Sequence, residues 1–157
     1  MDQKRTRPIR RGSMEFRPKL TQAVGSLIYS KSTLRYLFLL RNNGSWPMTW
    51  ALPGGKIDAD ETVLEALTRE IQEELGGTIR DPVLIQIDKF VSNNSKFSYT
   101  TYFISVDDEF VPVLNSEHLG YAWLPLVNAP LPLHPGINRT MKNPGVMDRI
   151  KQAEINS

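Results

Sequence analysis

Residues 55–77 read GKIDADETVLEALTREIQEELGG, and the rest of the chain is best read outward from them. Val63, Leu64, Leu67, Ile71 and Leu75 recur at helical spacing, which predicts a helix over about 58–75. Gly76-Gly77 follows as a helix terminator, because glycine adopts the left-handed C-cap conformation at least cost. Asp58 followed by Glu61 fits a capping box with a carboxylate as the cap. On such a helix Glu70, Glu73 and Glu74 fall within about one third of the circumference, at ~100° per residue, beside the apolar stripe. Three like charges at i, i+3 and i+4 repel by ~0.2–0.5 kcal/mol for each adjacent pair. Arg69 offers a single positive charge against them. A solvated acidic face is the plain alternative. A divalent cation would turn the repulsion into ligation, and hard carboxylate oxygens favour Mg²⁺ or Mn²⁺.

Around this helix the chain is rich in strand signals. Residues 21–29 (TQAVGSLIY) read as a strand interrupted by Gly25, and residues 35–41 (RYLFLLR) as a strand apolar enough for the middle of a sheet. Trp50-Ala51-Leu52 is a short strand ended by Pro53-Gly54-Gly55. Residues 83–91 and 97–106 form an expected hairpin across the polar loop 92–96, and residues 121–124 a last short strand. Residues 125–135 carry four prolines and are expected to be an irregular loop. A closing helix should start at Pro144, capped by Asn143, and run to about Ala153. Strands dominate the first and third quarters with helices between and after, an order that suggests an α+β domain with a mixed sheet covered by helices.

The flanks decide between the two readings of the glutamates. Gly55, Glu61, Arg69, Glu70, Glu73, Glu74 and Gly76, with Ile71 as the bulky aliphatic, resemble the Nudix box, G-x5-E-x7-R-E-U-x-E-E-x-G-U, at every fixed position. Gly77 departs from the final aliphatic, at the expected cost of one apolar contact just past the helix. The resemblance implies a Nudix hydrolase domain over 17–157, a mixed β-sheet sandwiched between α-helices. It implies a Mg²⁺-dependent hydrolase, with Mn²⁺ able to substitute, cutting the diphosphate linkage of a nucleoside diphosphate joined to a group X. X can be a phosphate, a sugar, a second nucleotide, or capped or 5'-phosphorylated RNA. Glu70, Glu73 and Glu74 match the family's metal-binding carboxylates, joined by a backbone carbonyl at Gly54 or Gly55. Glu61 and Arg69 match a pair that braces the loop against the helix. Lys56 is a candidate for the diphosphate, or a solvated loop lysine.

A second set of candidates lies outside the box. Glu117 and His118 open the segment EHLGYAW, residues 117–123, where many Nudix enzymes carry an acidic or histidine residue that completes the metal site or acts as base. The segment also resembles that of GDP-mannose mannosyl hydrolases, relatives that cleave at the sugar carbon with a histidine base but have an altered box. A Nudix fold used only to bind nucleotides is the other rival; such proteins usually lose box glutamates. For the base of the substrate, Trp46, Trp50, Phe97, Tyr99, Tyr102, Tyr121 and Trp123 are stacking candidates. Asn93, Asn94 and Asn138 are candidates for base edges, and Arg41 and Arg139 for phosphates. Core packing and loop formation are the ordinary uses of all of these.

Composition bounds what else is open. At 157 residues, 40% hydrophobic and 23% charged, the chain fits one globular domain. It has no cysteine, which excludes disulfides, thiolate metal sites and a cysteine nucleophile, and leaves His118 and His134 as its only imidazoles. No apolar run is long enough to span a bilayer, and with no signal core a cytoplasmic protein without membrane partners is expected. A homodimer remains open. The net charge of +2 hides an asymmetry: Lys4, Arg5, Arg7, Arg10 and Arg11 face only Asp2 in residues 1–13, so the remainder is acidic. A basic arm over 1–16 can meet nucleic-acid phosphates, but a disordered or tag-derived tail accounts for it equally, with Gly12-Ser13 ahead of Met14 as a joining sequence. No nucleic-acid function is assigned on it.

Overall fold

A computed structural model describes residues 20–157. The basic arm expected over 1–16 lies outside the described residues. No helix among the described residues is long and apolar enough to cross a membrane.

The two apolar strands form as expected, β1 over Thr21–Ser30 and β2 over Arg35–Arg41. They meet only at Tyr29↔Tyr36 and Ser30↔Arg35 and then diverge. The segment after Thr49 wedges into the fork. Its first part, β3 (Trp50–Ala51), pairs with β2, and its second, β4 (Gly54–Lys56), pairs with β1 from Ala23↔Lys56 to Gly25↔Gly54. Pro53 sits at the change of partner, where its carbonyl accepts both the backbone N–H and the hydroxyl of Ser26. The other edge of β1 runs parallel to β6 (Phe97–Val106) over its whole length, and β5 (Ile85–Val91) adds antiparallel to β6. β7 (His118–Leu124) pairs with the free edge of β2. The sheet is therefore mixed.

Alternation sorts the side chains to two faces. Ile28, Leu37, Leu39 and Ile104 pack with Ile71 and Leu75 of helix α1 (Val63–Leu75), and Val24 packs with Ala66 and Leu67 of the same helix. Leu27, Tyr29, Tyr36, Phe38 and Phe103 point the other way, against Ile137 of α2 (Pro135–Met141) and Val146, Ile150 and Ala153 of α3 (Pro144–Ile155). Burial on both faces explains why the middle of β2 reads as a continuous apolar run. Tyr36 donates its hydroxyl to Glu154, which ties α3 to the sheet, and Arg149 donates to the Ile87 carbonyl on the edge strand β5.

Several boundaries differ from the sequence reading. α1 begins at Val63, not near Asp58, and its cap is Thr62, whose hydroxyl accepts from the Glu65 N–H. Asp60 has φ +71°, a left-handed residue that no helix can include, so residues 58–61 form a turn instead. Glu61 still reaches back to the Asp58 N–H at 2.7 Å, half of a capping box at a turn. Leu64 is exposed and Ala66 takes its place in the core. β7 starts three residues earlier than expected, so His118 stands on a strand and not in a loop. The proline-rich stretch contains a 3-10 turn at Leu126–Asn128 and leads into α2, a helix the sequence reading omitted. Strand β4 was likewise read only as a strand end.

Candidate functional site

Two glycines let the acidic helix close on the fork. Gly54 has φ +152°, and a Cβ there would fall 2.1 Å from the Val24 carbonyl oxygen. Its N–H faces the Glu74 carboxylate at 3.3 and 3.4 Å. A Cβ on Gly55 would fall 2.5 Å from Oε1 of Glu70. Glu70 and Glu74, one helical turn apart, thus lie against bare backbone and are buried. Burial, then the hydrogen bond and charge of Glu70, push the Glu74 carboxyl well above the usual carboxylate range. Two buried carboxylates sharing one place need either a proton or a cation.

Arg69 fastens this arrangement. Its Nε and Nη2 grip Glu61 at 2.8 and 2.9 Å, and Nη2 also donates to the Lys56 carbonyl at 3.0 Å. Nη1 donates to Glu70 at 2.8 Å and lies 3.4 Å from Glu73. The loop before the helix is thereby tied to its second turn. The Arg69 hydrogen bonds hold the Glu61 carboxyl down at about 2. Glu73 does not join the other two: its side chain is half exposed and turned toward Arg69. Among the described residues no three carboxylate or imidazole groups converge on one point. Glu73 shares the side of the helix that carries the buried pair, three residues from Glu70 and one from Glu74. The oxygen donors, the backbone approach at Gly55 and a buried pair of which Arg69 meets only Glu70 fit a hard divalent cation.

The second set of candidates meets the same place. A β-bulge between Leu40 and Arg41 shifts the register so that His118 stands opposite Arg41. The imidazole is almost wholly buried, with Nδ1 4.0 Å from Oε2 of Glu74. That nitrogen has no hydrogen-bond partner among the described residues. Burial, then the Arg41 charge, lower the His118 pKa to about 4, so the ring is neutral at pH 7. Glu117 is exposed, and its charge is one of the influences that raise Glu74.

On the α2–α3 face the fork opens into a cleft of about 540 Å³. Of the sequence candidates it gathers Lys56, Arg41, Arg139, Trp46, Phe97 and Tyr99. The Tyr99 hydroxyl lies over Gly25, where a Cβ would come within 1.8 Å of it, so the glycine that interrupts β1 makes room for this ring. The remaining candidates go elsewhere. Trp123 is buried and donates to the Phe110 carbonyl, Trp50 and Tyr102 pack at the margins of the core, and Tyr121 is exposed on β7. Asn94 closes the β5–β6 turn by accepting from the Lys96 N–H. Asn93 and Asn138 are not among the lining residues. Lining residues outside those candidates include Phe90, expected only as part of a strand, and His134, one of the chain's two imidazoles, expected in a loop although a polar residue before Pro135 carries the signal of a helix cap.

Comparison with known proteins agrees with this geometry. The NUDIX domain model matches residues 19–143. The chain belongs to the NUDIX domain family. Among sequence relatives, the dihydroneopterin triphosphate diphosphatase of Haemophilus influenzae is 31% identical over 121 residues, covering 68% of this chain and 75% of that protein. The nucleoside triphosphatase NudI of Salmonella paratyphi B is 35% identical over 95 residues, covering 53% of this chain and 66% of NudI. Among solved structures, the NUDIX domain of Shewanella oneidensis NrtR, crystallised with ADP ribose, superposes with TM-score 0.69 over 87% of this chain and 92% of that one. At 17% identity that likeness speaks for the fold alone. The α+β Nudix fold expected from residues 55–77 is thus the fold found. The family bears out the expected reaction class, a hydrolase of phosphorus-containing acid anhydrides. Within the Nudix box, the missing aliphatic at Gly77 leaves its Cβ position in open space, while Val113 packs beside Gly76.

Proposed function

We propose that this Nudix hydrolase is a Mg²⁺-dependent pyrophosphohydrolase, with Mn²⁺ able to substitute, that cuts the diphosphate linkage of nucleoside diphosphate derivatives. The observation that carries the reading is the buried Glu70–Glu74 pair, seated on the bare backbone of Gly54 and Gly55, the same two glycines that line a cationic, aromatic cleft. Glu70, Glu74 and Glu73, with the Gly55 carbonyl, would hold the ion. Bound there, it neutralises the diphosphate and lowers the pKa of water.

The chain's own groups do the rest. Lys56 and Arg41 line the cleft beside the glycines and are the cations that orient the phosphates of the substrate. Arg69 and Glu61 act through position, holding the loop at the distance the diphosphate needs. Water attacks phosphorus, the anhydride P–O bond breaks, the leaving phosphate takes the electron pair, and a carboxylate of the cluster accepts the proton of the water. The relatives named a dihydroneopterin triphosphate diphosphatase and a nucleoside triphosphatase support a triphosphate among the substrates. The same reading places the enzyme in the cytoplasm, where nucleotides are made and used.

A second reading has one observation in its favour. The buried, unpartnered Nδ1 of His118 is the kind of group that can act as base in cleavage at a sugar carbon. One experiment separates the two. Nucleoside triphosphates, ADP-ribose, dinucleoside polyphosphates, NDP-sugars and capped RNA are each incubated with Mg²⁺ in ¹⁸O water. The pyrophosphohydrolase puts the label in a phosphate-containing product and stops in EDTA. Label found only on a released sugar overturns it.

A further inference from the structure

The floor of the cleft is a single row across the sheet. Lys56 pairs with Ala23, Ala23 with Tyr99, and Tyr99 with Phe90, one residue from each of β4, β1, β6 and β5. At about 4.8 Å per strand, the row spans about 14 Å. One end lies at Gly55 and the buried carboxylates. The other ends at Phe90, under α2. Ala23, the smallest side chain of the row, leaves a hollow between the two ends. A cationic end, a hollow and an aromatic end in line match the order phosphate, ribose, base, in a volume typical of small-ligand sites.

The aromatic end has a definite polarity. The guanidinium of Arg139 lies 3.6 Å over the Phe90 ring. Among the described residues it has neither an ion-pair nor a hydrogen-bond partner, so its planar set of N–H donors is unspent. His134 caps α2 through Nδ1, which accepts the Gly136 N–H at 3.1 Å. An imidazole that accepts at Nδ1 carries its hydrogen on Nε2, and His134 lines the cleft as a donor. Burial, then the charge of Arg41, keep that ring neutral by lowering its pKa. The one hydroxyl hydrogen of Thr140 goes to Asp88 or to the Gly136 carbonyl, at 3.0 and 3.1 Å, and not to the cleft. Among the lining residues there is no Asp, Glu, Asn or Gln. The base end thus offers donors and no side-chain carboxylate or amide to receive an amino group.

We propose that Phe90, Arg139 and His134 form a base subsite that selects a heteroaromatic ring turning carbonyl and ring-nitrogen acceptors toward Arg139, a keto purine such as guanine, over an amino purine such as adenine. Arg presents a bidentate fork that matches the O6/N7 edge of guanine, whereas adenine sets an amino donor against it. The assignment rests on the reading of this cleft as the substrate site of a diphosphate hydrolase. Trp46, at the rim with φ +56° and more than half exposed, is placed to report on occupancy.

Two measurements on the full chain test it. The first compares kcat/KM for dGTP, dITP and dATP with Mg²⁺. Both keto purines should exceed dATP by at least about tenfold, within the range of one good bidentate contact. Arg139→Ala should collapse the ratio. Arg139→Lys, which keeps the charge and loses the planar fork, should collapse it too. The second is equilibrium binding of GMP and AMP in EDTA, read by tryptophan fluorescence, with Trp46→Phe removing the signal. GMP should bind about tenfold tighter in the parent and not in either Arg139 variant. Equal or reversed affinities, or a preference that survives both Arg139 variants, overturn the subsite. Because the binding measurement needs neither metal nor turnover, it decides the subsite even if no substrate is cleaved, an outcome that would count against the hydrolase reading alone.

Discussion

Glu74 and Gly54 meet at the point where β1 and β2 part: the Gly54 N–H faces the Glu74 carboxylate at 3.3 Å, through the gap that Pro53 keeps open in the sheet. The contact joins the two faces of the molecule. The acidic helix lies on one face and the cleft on the other, and a continuous ladder between β1 and β2 would separate them. The change of partner along residues 50–56 is what lets a carboxylate of α1 and a ligand in the cleft reach the same place.

The first prediction follows from that contact. Glu74→Gln and Glu70→Gln should keep the fold and lower kcat by orders of magnitude, because each removes charge where the reaction needs a cation held. Glu65→Gln, on the exposed side of α1 near its start, keeps an oxygen to accept from the Thr62 hydroxyl and should leave kcat within about twofold. Equal activity for all three variants would return the glutamates to a solvated acidic face.

Metal-free stability should depend on pH in a direction set by the same residue. The Glu74 pKa is raised in the folded chain, so between the ordinary carboxylate value and the raised one the folded state binds more protons than the unfolded. The contribution of Glu74 is therefore most favourable at or below about pH 4.5 and is lost as pH rises. In EDTA, the Tm of the parent relative to Glu74→Gln should fall between pH 5 and pH 8, and Mg²⁺ should restore it. A Tm difference that stays flat across this range would show that the carboxylate is not desolvated.

Glu61 runs the other way. Its folded pKa is held down at about 2 by Arg69, so its contribution is present above pH 4.5 and lost as pH falls toward 2. Glu61→Gln should loosen the loop that carries Gly54, Gly55 and Lys56. Its kcat/KM should fall more than its Tm, and the acid limb of the parent's stability curve between pH 4.5 and 2 should shrink. A variant with unchanged kcat/KM would reduce the Arg69–Glu61 pair to a surface ion pair.

What was legible in the sequence was whatever rests on fixed local spacing. Glu61, Arg69, Glu70 and Glu74 stand at intervals that one helix and its preceding turn convert directly into contacts. β2 is legible through its apolar length, because both faces of the sheet are covered, and β5 and β6 through the polar loop between them. What was missed depends on partners distant in sequence or on single dihedral angles. β4 has three residues, too few for a period, and becomes a strand only because β1 lies beside it. The Asp58–Glu61 spacing mimics a cap, but the left-handed Asp60 moves the cap of α1 to Thr62 and its start to Val63. Phe90 and His134 enter the cleft through a strand pairing and a short helix that the prolines before it concealed. Glu73 has the spacing of a ligand, but its rotamer, drawn by Arg69, has no trace in the sequence.

The last prediction concerns His118, whose buried Nδ1 lies 4.0 Å from Glu74. The ring is neutral above about pH 4, so it can accept a proton or a hydrogen bond at neutral pH. If it is the general base, His118→Gln should cost at least a hundredfold in kcat, and the variant's profile should lose a limb near pH 4, well below the ordinary imidazole value near 6.5. If a carboxylate of the Glu70–Glu73–Glu74 set takes the proton, the cost should stay below about tenfold, or ~1.4 kcal/mol. The smaller effect is expected, because the acidic set remains intact and the structure shows no hydrogen bond from His118 Nδ1 to lose. Stability gives an independent check. A folded pKa below the unfolded one means that the contribution of His118 is present above about pH 6.5 and lost as pH falls toward 4. His118→Gln should flatten that part of the curve whatever its effect on kcat. A hundredfold loss of kcat with fold and Mg²⁺ affinity intact would transfer the role of base from the helix to this strand.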